Sequence, residues 1–210
     1  MYDMQGYFIT FEGPDGSGKS TQIQLIKQYF QEKGFDMVIT REPGGTRISE
    51  KIRKIILDKT HVEMDYVTEA LLYAASRAQH VSQVIMPALK EGKVVICDRF
   101  VDSSLVYQGV GRGLGERVRK INDIAIRGCV PDITFLFKIS PEKGKKRIFH
   151  EDRLDMEDLD YHTKVYQAYL ELEKKYPERI KGINADRTIK EIHGDIKDCL
   201  EVLLTDVKMK

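Results

Sequence analysis

A glycine-rich string near the amino terminus constrains this chain more than any other feature. Gly13-Pro14-Asp15-Gly16-Ser17-Gly18-Lys19-Ser20 fits G-x-x-x-x-G-K-[ST] at every fixed position. The apolar run Tyr7 to Phe11 before it reads as a buried strand; after it Ile23, Ile26 and Phe30 fall at helical spacing, and Gly34 supplies a C-cap. Glycines let backbone amides curl around an anion, and a helix N-terminus adds partial positive charge. Lys19 is placed to reach the outer phosphates of a nucleotide and the Ser20 hydroxyl to ligate Mg²⁺. An acid inside such a loop would repel phosphate, so Asp15 is expected to point outward, toward a second ligand.

The rest of the chain extends the same unit. Short apolar runs at Met37 to Thr40, Val94 to Cys97 and Ile133 to Ile139 read as interior strands of a parallel sheet, with helices between them. One long helical pattern covers Asp65 to Lys90, with Pro87 expected to kink or interrupt it near its end. Further helices are expected from Gly115 to Arg127 and from Ile189 to Leu204. The charge-dense stretch from Pro141 reads as a helix, a polar break near Glu151 to Met156, and a second helix stopping before Pro177.

Composition closes several alternatives. Thirty-four basic against 33 acidic residues leave a formal charge of +1, so any anion site is local rather than a global cationic field, and no nucleic-acid partner is expected. No apolar run approaches the ~18 residues that spanning a bilayer demands, and the start of the chain has no signal layout; no membrane partner and a cytoplasmic address are expected. Cys97, Cys129 and Cys199 form no C-x-x-C pair and read as buried thiols, and the histidines show no metal-ligand spacing. A phosphate loop alone leaves kinase, GTPase and motor open, although the GTPase base-reading string N-K-x-D is absent.

Three further segments choose among these. Asp98-Arg99-Phe100 followed by Ser103-Ser104 and Tyr107-Gln108-Gly109 resembles the D-R-[FYH]-x-x-S and Y-Q-G signature of the thymidylate kinases. Thr40-Arg41-Glu42-Pro43-Gly44-Gly45-Thr46 looks like that family's T-R-E-P-G-G-T, and Leu72 to His80 looks like its L-[FY]-x-A-x-R helix. With the Arg153 to Asp158 string R-L-D-x-E-D, the resemblance runs over essentially the whole chain. It implies a single α/β domain over 1–210 with the P-loop NTPase fold, a five-stranded parallel sheet flanked by helices, and a short lid at about 147–157. It also implies a homodimer that moves the ATP γ-phosphoryl group onto dTMP with Mg²⁺, yielding dTDP for dTTP synthesis.

Roles follow by matching position. Gly13, Pro14, Asp15, Gly16, Ser17, Gly18, Lys19, Ser20 and Thr21 are expected at ATP, and Ser20 and Asp98 at the metal. Arg99 and Arg41 are expected to grip the dTMP phosphate, since guanidinium binds phosphate bidentately. Tyr73 and Arg77, four residues apart on one helix face, form a base-reading pair, the ring stacking and the arginine donating to a carbonyl. Ser104 and Gln108 are expected as further base contacts, Tyr107 against the sugar 2′ position and Asp15 at the 3′-hydroxyl. Lys19 and Arg99 are joined as catalytic residues by a lid arginine, Arg153 first and Arg147 second. The lid is shorter and less basic than in many bacterial members, and Val106 stands where alanine is common. The rival readings are another nucleoside or nucleotide monophosphate kinase, or a nucleotide-dependent switch.

Overall fold

A computed structural model describes residues 6–147 and 153–206. Five strands, β1 (Tyr7–Glu12), β2 (Met37–Arg41), β3 (Val94–Asp98), β4 (Ile133–Lys138) and β5 (Ile180–Asn184), form one sheet in the order β2-β3-β1-β4-β5. Every neighbouring pair is parallel. The register sets Arg41 and Phe11 on either side of Asp98, so three strands deliver their functional ends to one level of the carboxyl edge. The chain runs from β1 outward to one side and returns to the other, which opens a crevice beside β1, where such sheets take their ligands.

Alternation along each strand feeds two cores. Ile9, Phe11, Val94, Ile96, Phe135 and Phe137 pack against Ile23, Ile26 and Phe30 of α1 (Lys19–Glu32) and Ile196 and Leu200 of α9 (Ile189–Asp206). On the opposite face Phe8, Val95 and Cys97 meet Val81, Ile85 and Leu89. That second layer starts as α3 (Tyr66–His80), whose first turn is capped by the Asp65 carboxylate accepting from the Val67 and Thr68 amides. It then passes through a π-helical turn, Val81–Ile85, and resumes as α4 (Met86–Lys90). The interruption expected at Pro87 thus lies just upstream: proline crowds the carbonyl four residues earlier, and the wider turn makes room for it.

The remaining helices are α2 (Arg47–Leu57), α5 (Val101–Ser104), which runs into a π-helical stretch Leu105–Gly111, α6 (Glu116–Ile126), α7 (Pro141–Lys145) and α8 (Leu159–Lys175). Gly115 and Arg127, expected as the ends of a helix, are the residues flanking α6, Arg127 in the left-handed conformation. Of the expected lid, residues 148–152 lie outside the described residues, while 153–157 form a turn leading into α8. β5 could not be located from sequence because its middle residue is Gly182. A side chain there would collide with the Glu173 carboxylate and Lys138 ammonium that pair across the strand. Among the described residues no helix is long and apolar enough to cross a membrane.

Two of the three cysteines behave as expected and one differs. Cys97 and Cys129 are buried, and burial pushes the Cys129 thiol up to about 12 and Cys97 well above its ordinary value; Cys199 is only half-buried. Since the thiolate is the reactive form, a native thiol-disulfide reagent titration at pH 8 should modify Cys199 and leave Cys97 and Cys129 protected until the chain is unfolded. Rapid native modification of three thiols would contradict this core.

Candidate active site

The phosphate loop leaves β1 through Gly13, at φ 131°, and Gly16, at φ 72°. A Cβ at Gly13 would stand 2.6 Å from the Phe137 carbonyl oxygen, and one at Gly16 2.5 Å from that of Gly144. Only glycine satisfies both the backbone angle and the space. Gly18 then enters α1 without a side-chain cap, so the first amides of the helix are open to an anion, with Ser20 and Thr21 exposed on that first turn. The Lys19 ammonium curls back to donate to the carbonyls of Gly13, at 3.1 Å, and Pro14, at 2.9 Å. Burial first, then the neighbouring Arg99, holds its pKa below the ordinary lysine value.

Across the crevice, the loop after β3 carries the second half of the site. Arg99 takes φ 66°, a conformation that non-glycine residues rarely adopt, with its amide tied to the Phe11 carbonyl at 2.9 Å. This turn aims the guanidinium at Asp15, whose carboxylate accepts from Nη2 at 2.8 Å, while Nη1 reaches the Ser103 hydroxyl at 3.3 Å. Burial alone would raise the Asp15 pKa; Arg99 and then Lys19 outweigh it and hold the carboxyl well below the usual range. Asp15 thus lines the second ligand space through its pair with Arg99, and the same Oδ1 stands 3.9 Å from the Lys19 ammonium.

That space is one cavity. Asp15, Arg41, Tyr73, Arg77, Arg99, Ser104, Tyr107 and Gln108, drawn from four separate stretches of sequence, all line it, together with Asp98. Arg77 is almost wholly buried. Its Nε donates to Glu42 at 2.7 Å, Nη1 to Ser104 at 2.9 Å and to Asn122, and Nη2 to the Phe100 carbonyl at 3.1 Å. Four of its five N–H groups are thus engaged by protein, and the clamp fixes the direction of the fifth. Ser104 serves first as part of that clamp. Burial raises the Tyr107 hydroxyl to about 12, so the ring stays neutral, packed edge-on against Tyr161 and Tyr169 and beneath the Arg99 guanidinium.

Other placements differ from expectation. Arg41 is half-exposed and pairs with Glu50 at 3.0 Å, so its guanidinium is shared with a surface acid. Arg153 is not brought to the phosphate loop. It is buried, donating from Nη2 to Glu69 at 2.6 Å and from Nε to the Ile56 carbonyl at 2.9 Å, because a buried carboxylate and a free carbonyl meet its guanidinium there. Arg147 lies against the loop instead, its Cβ 3.0 Å from where a side chain on Gly16 would begin, with its guanidinium exposed and 3.9 Å from Asp186.

Three acids organise the site; sequence reading passed over Glu12 and Glu69 and took Glu42 only as part of the turn after Arg41. Glu12, with no exposure, accepts from the Phe100 amide at 2.7 Å, the Ser103 hydroxyl at 2.6 Å and the Tyr169 hydroxyl at 2.8 Å. Burial, then Asp102, pushes its pKa up, against the opposing pull of Arg99, Ser103 and Tyr169. Glu42 splits its carboxylate between Arg77 and the His80 Nδ1 at 3.0 Å. Glu69 gathers Gln108, Arg112 and Arg153. The available signal was an acid interrupting an apolar run, as Glu12 does after Tyr7 to Phe11. Arg53, also on the cavity wall, donates to the Pro43 carbonyl at 2.8 Å.

Asp98 has one buried carboxylate oxygen with no hydrogen-bond partner, at the strand end close to Lys19. An orphaned carboxylate oxygen beside a phosphate loop, with the Ser20 hydroxyl on the first helical turn, is an all-oxygen donor set of the kind Mg²⁺ takes. The residues fit the ion.

A glycine loop at the carboxyl edge of a parallel sheet, at the switch point beside β1, defines a P-loop nucleotide-binding protein of the α/β class. Within that class the sequence comparisons are specific. The profile of the thymidylate kinase family matches residues 11–196. The thymidylate kinase of Clostridium novyi (strain NT) is 51% identical over 203 residues, covering 94% of this chain and 99% of the relative. That of Oceanobacillus iheyensis is 49% identical over 209 residues, covering 97% of this chain and 93% of the relative. The crystal structure of the thymidylate kinase of Ehrlichia chaffeensis superposes with a TM-score of 0.78 at 34% identity, covering 93% of this chain and 98% of that one. The chain belongs to the thymidylate kinase family.

Tyr169→Phe removes a buried hydroxyl shared by Glu12 and Ser103. The loss should be ~1–2 kcal/mol in urea unfolding with an unchanged fold; an unaltered midpoint would mean that the Glu12 network does not brace the loop after β3.

Proposed function

We propose that this chain transfers the γ-phosphoryl group of ATP to dTMP, giving dTDP, with Mg²⁺, and that it works as a single domain with a short lid. The observation that carries this reading is the Asp15–Arg99 pair: it joins the donor loop to a cavity lined by every residue expected at the acceptor. Phosphoryl transfer asks a protein mainly for alignment and for cations near developing charge. Arg99 spans both halves, one nitrogen on the loop acid and its face on the Tyr107 ring, so it can fix the acceptor phosphate relative to the loop. Arg41, released from Glu50, and Arg53 add charge on the same side.

In this reading Asp15, paired with Arg99 on the cavity wall, accepts from the sugar 3′-hydroxyl, and Tyr107 limits the room beside the sugar. Arg77, with a single N–H left by its clamp, donates to the base carbonyl beside the Tyr73 ring. Asp98 and Ser20 would hold Mg²⁺, which when bound neutralises charge on the outer phosphates. On the donor side Lys19 must leave the Gly13 and Pro14 carbonyls to meet phosphate. Arg147, exposed beside Gly16, is the lid cation in this reading, displacing Arg153, whose guanidinium is held by Glu69.

Homodimer formation through α2 and α3 is supported by the exposed apolar residues Ile48, Ile55, Val67 and Leu71 on those helices. A cytoplasmic enzyme in dTTP synthesis is the setting that agrees with these substrates.

The direct test is product analysis with ATP, Mg²⁺ and single deoxynucleoside monophosphates. dTDP should form from dTMP, with dCMP a poor acceptor; equal use of the two would remove the base-reading roles of Arg77 and Tyr73. Lys19→Ala should abolish transfer while dTMP binding persists. In single-turnover transfer at saturating substrates Arg147→Ala should lose roughly 10² or more in rate, and Arg153→Ala should act chiefly on stability. The reverse pattern would return the catalytic role to Arg153.

A further inference from the structure

Glu69, in the first turn of α3, is fully buried, yet the reaction as described gives it no part. Its Oε1 accepts from the Gln108 side-chain amide at 2.9 Å and from Arg112 Nε at 3.3 Å; its Oε2 accepts from Arg112 Nη2 at 3.2 Å and Arg153 Nη2 at 2.6 Å. Arg112 continues to Glu157 at 2.7 Å. One carboxylate therefore holds a cavity residue and, through two guanidiniums, the 153–157 turn.

The chemistry of that carboxylate decides how Gln108 stands. A carboxylate between two guanidiniums can only accept hydrogen bonds, so Gln108 must offer it the NH₂ end of its amide. The carbonyl end is then turned away from Glu69. Gln108 lines the acceptor cavity, and its Oε1 accepts no hydrogen bond from the described residues. We propose that Glu69 is a positioning residue for base selection: it locks the Gln108 amide so that an acceptor oxygen, never a donor, faces the pyrimidine.

This rests on the dTMP reading and deepens it. A ring bearing N–H at position 3, as thymine does, would donate to Gln108 Oε1. Cytosine carries a lone pair at that position and would set acceptor against acceptor. The contact is separate from the donation by Arg77 to the 4-carbonyl, so the pocket would read two adjacent edges of the ring with opposite polarity. A site built to make hydrogen bonds rejects a ligand that leaves its groups unpaired far more strongly than an apolar pocket rejects a change of size.

The test compares kcat/KM for dTMP and 5-methyl-dCMP, which share the methyl group and sugar. The proteins are wild type, Glu69→Gln, Gln108→Met, Arg153→Met and the double variant Glu69→Gln with Gln108→Glu, each checked by thermal melting. Glu69→Gln and Gln108→Met should each lower the dTMP preference about tenfold or more, chiefly through a raised KM for dTMP. Arg153→Met loosens the turn without touching the amide and should leave the ratio within about threefold. The double variant keeps the buried charge count and an acceptor toward the base, and should recover the preference even if Glu69→Gln alone folds poorly.

A wild-type ratio in folded Glu69→Gln or in Gln108→Met, no recovery in the double variant, or an equal loss in Arg153→Met would overturn the proposal. Robust dTMP turnover with an unmoved ratio defeats this inference alone; absence of dTMP turnover in the wild-type protein defeats the substrate reading and this inference with it.

Discussion

The Asp15–Arg99 ion pair is the contact on which the site depends. One partner lies in the loop after β1 and the other in the loop after β3, 84 residues apart, and they meet because the two strands are neighbours in parallel register. The pair joins the loop acid, itself 3.9 Å from the Lys19 ammonium, to a guanidinium on the wall of the neighbouring cavity. A left-handed arginine at the end of a strand is a strained conformation, and its amide bond to Phe11 helps to keep it there.

Around that pair the site is built from buried acids. Burying a charge costs several kcal/mol unless its partners are well placed, and Glu12, Glu42 and Glu69 each meet that condition differently. Glu12 is satisfied by two amides and two hydroxyls and braces the loop that carries Arg99. Glu42 shares its oxygens between Arg77 and His80, anchoring the turn after β2 to α3. Glu69 joins α3 to Gln108 and to the turn before α8. Three cavity walls are thereby held by carboxylates whose oxygens are taken up by protein partners, which lets the contacting groups be few and rigid.

What sequence could and could not show follows from where these contacts lie. Gly13 to Ser20 was legible because the loop's chemistry is local: spacing, glycine angles and helix start lie within eight positions. Strand ends at Arg41 and Asp98 were legible through apolar runs closing on charge. Glu12 meets Tyr169 across 157 positions and Glu69 meets Arg153 across 84, so no periodicity or spacing marks those pairs. Arg153 misled for the same reason: it was assigned to the lid because it opens the R-L-D-x-E-D string at a polar break between two helices, whereas its partner is a buried acid supplied by a distant helix. Arg77 was expected as a base reader from its helical spacing with Tyr73 and the family resemblance, but its clamp by Glu42, Ser104, Asn122 and Phe100 exists only in three dimensions.

If donor and acceptor spaces share the wall made by Asp15 and Arg99, a single molecule should fill both. Isothermal titration with adenosine and thymidine joined through their 5′ positions by a five-phosphate bridge, in the presence of Mg²⁺, tests this most directly. Tight binding of one molecule per chain is predicted, far tighter than ATP or dTMP alone, abolished by prior saturation with either nucleotide and weakened by Arg99→Met. Affinity no better than that of the separate nucleotides, or competition with only one of them, would contradict a shared site.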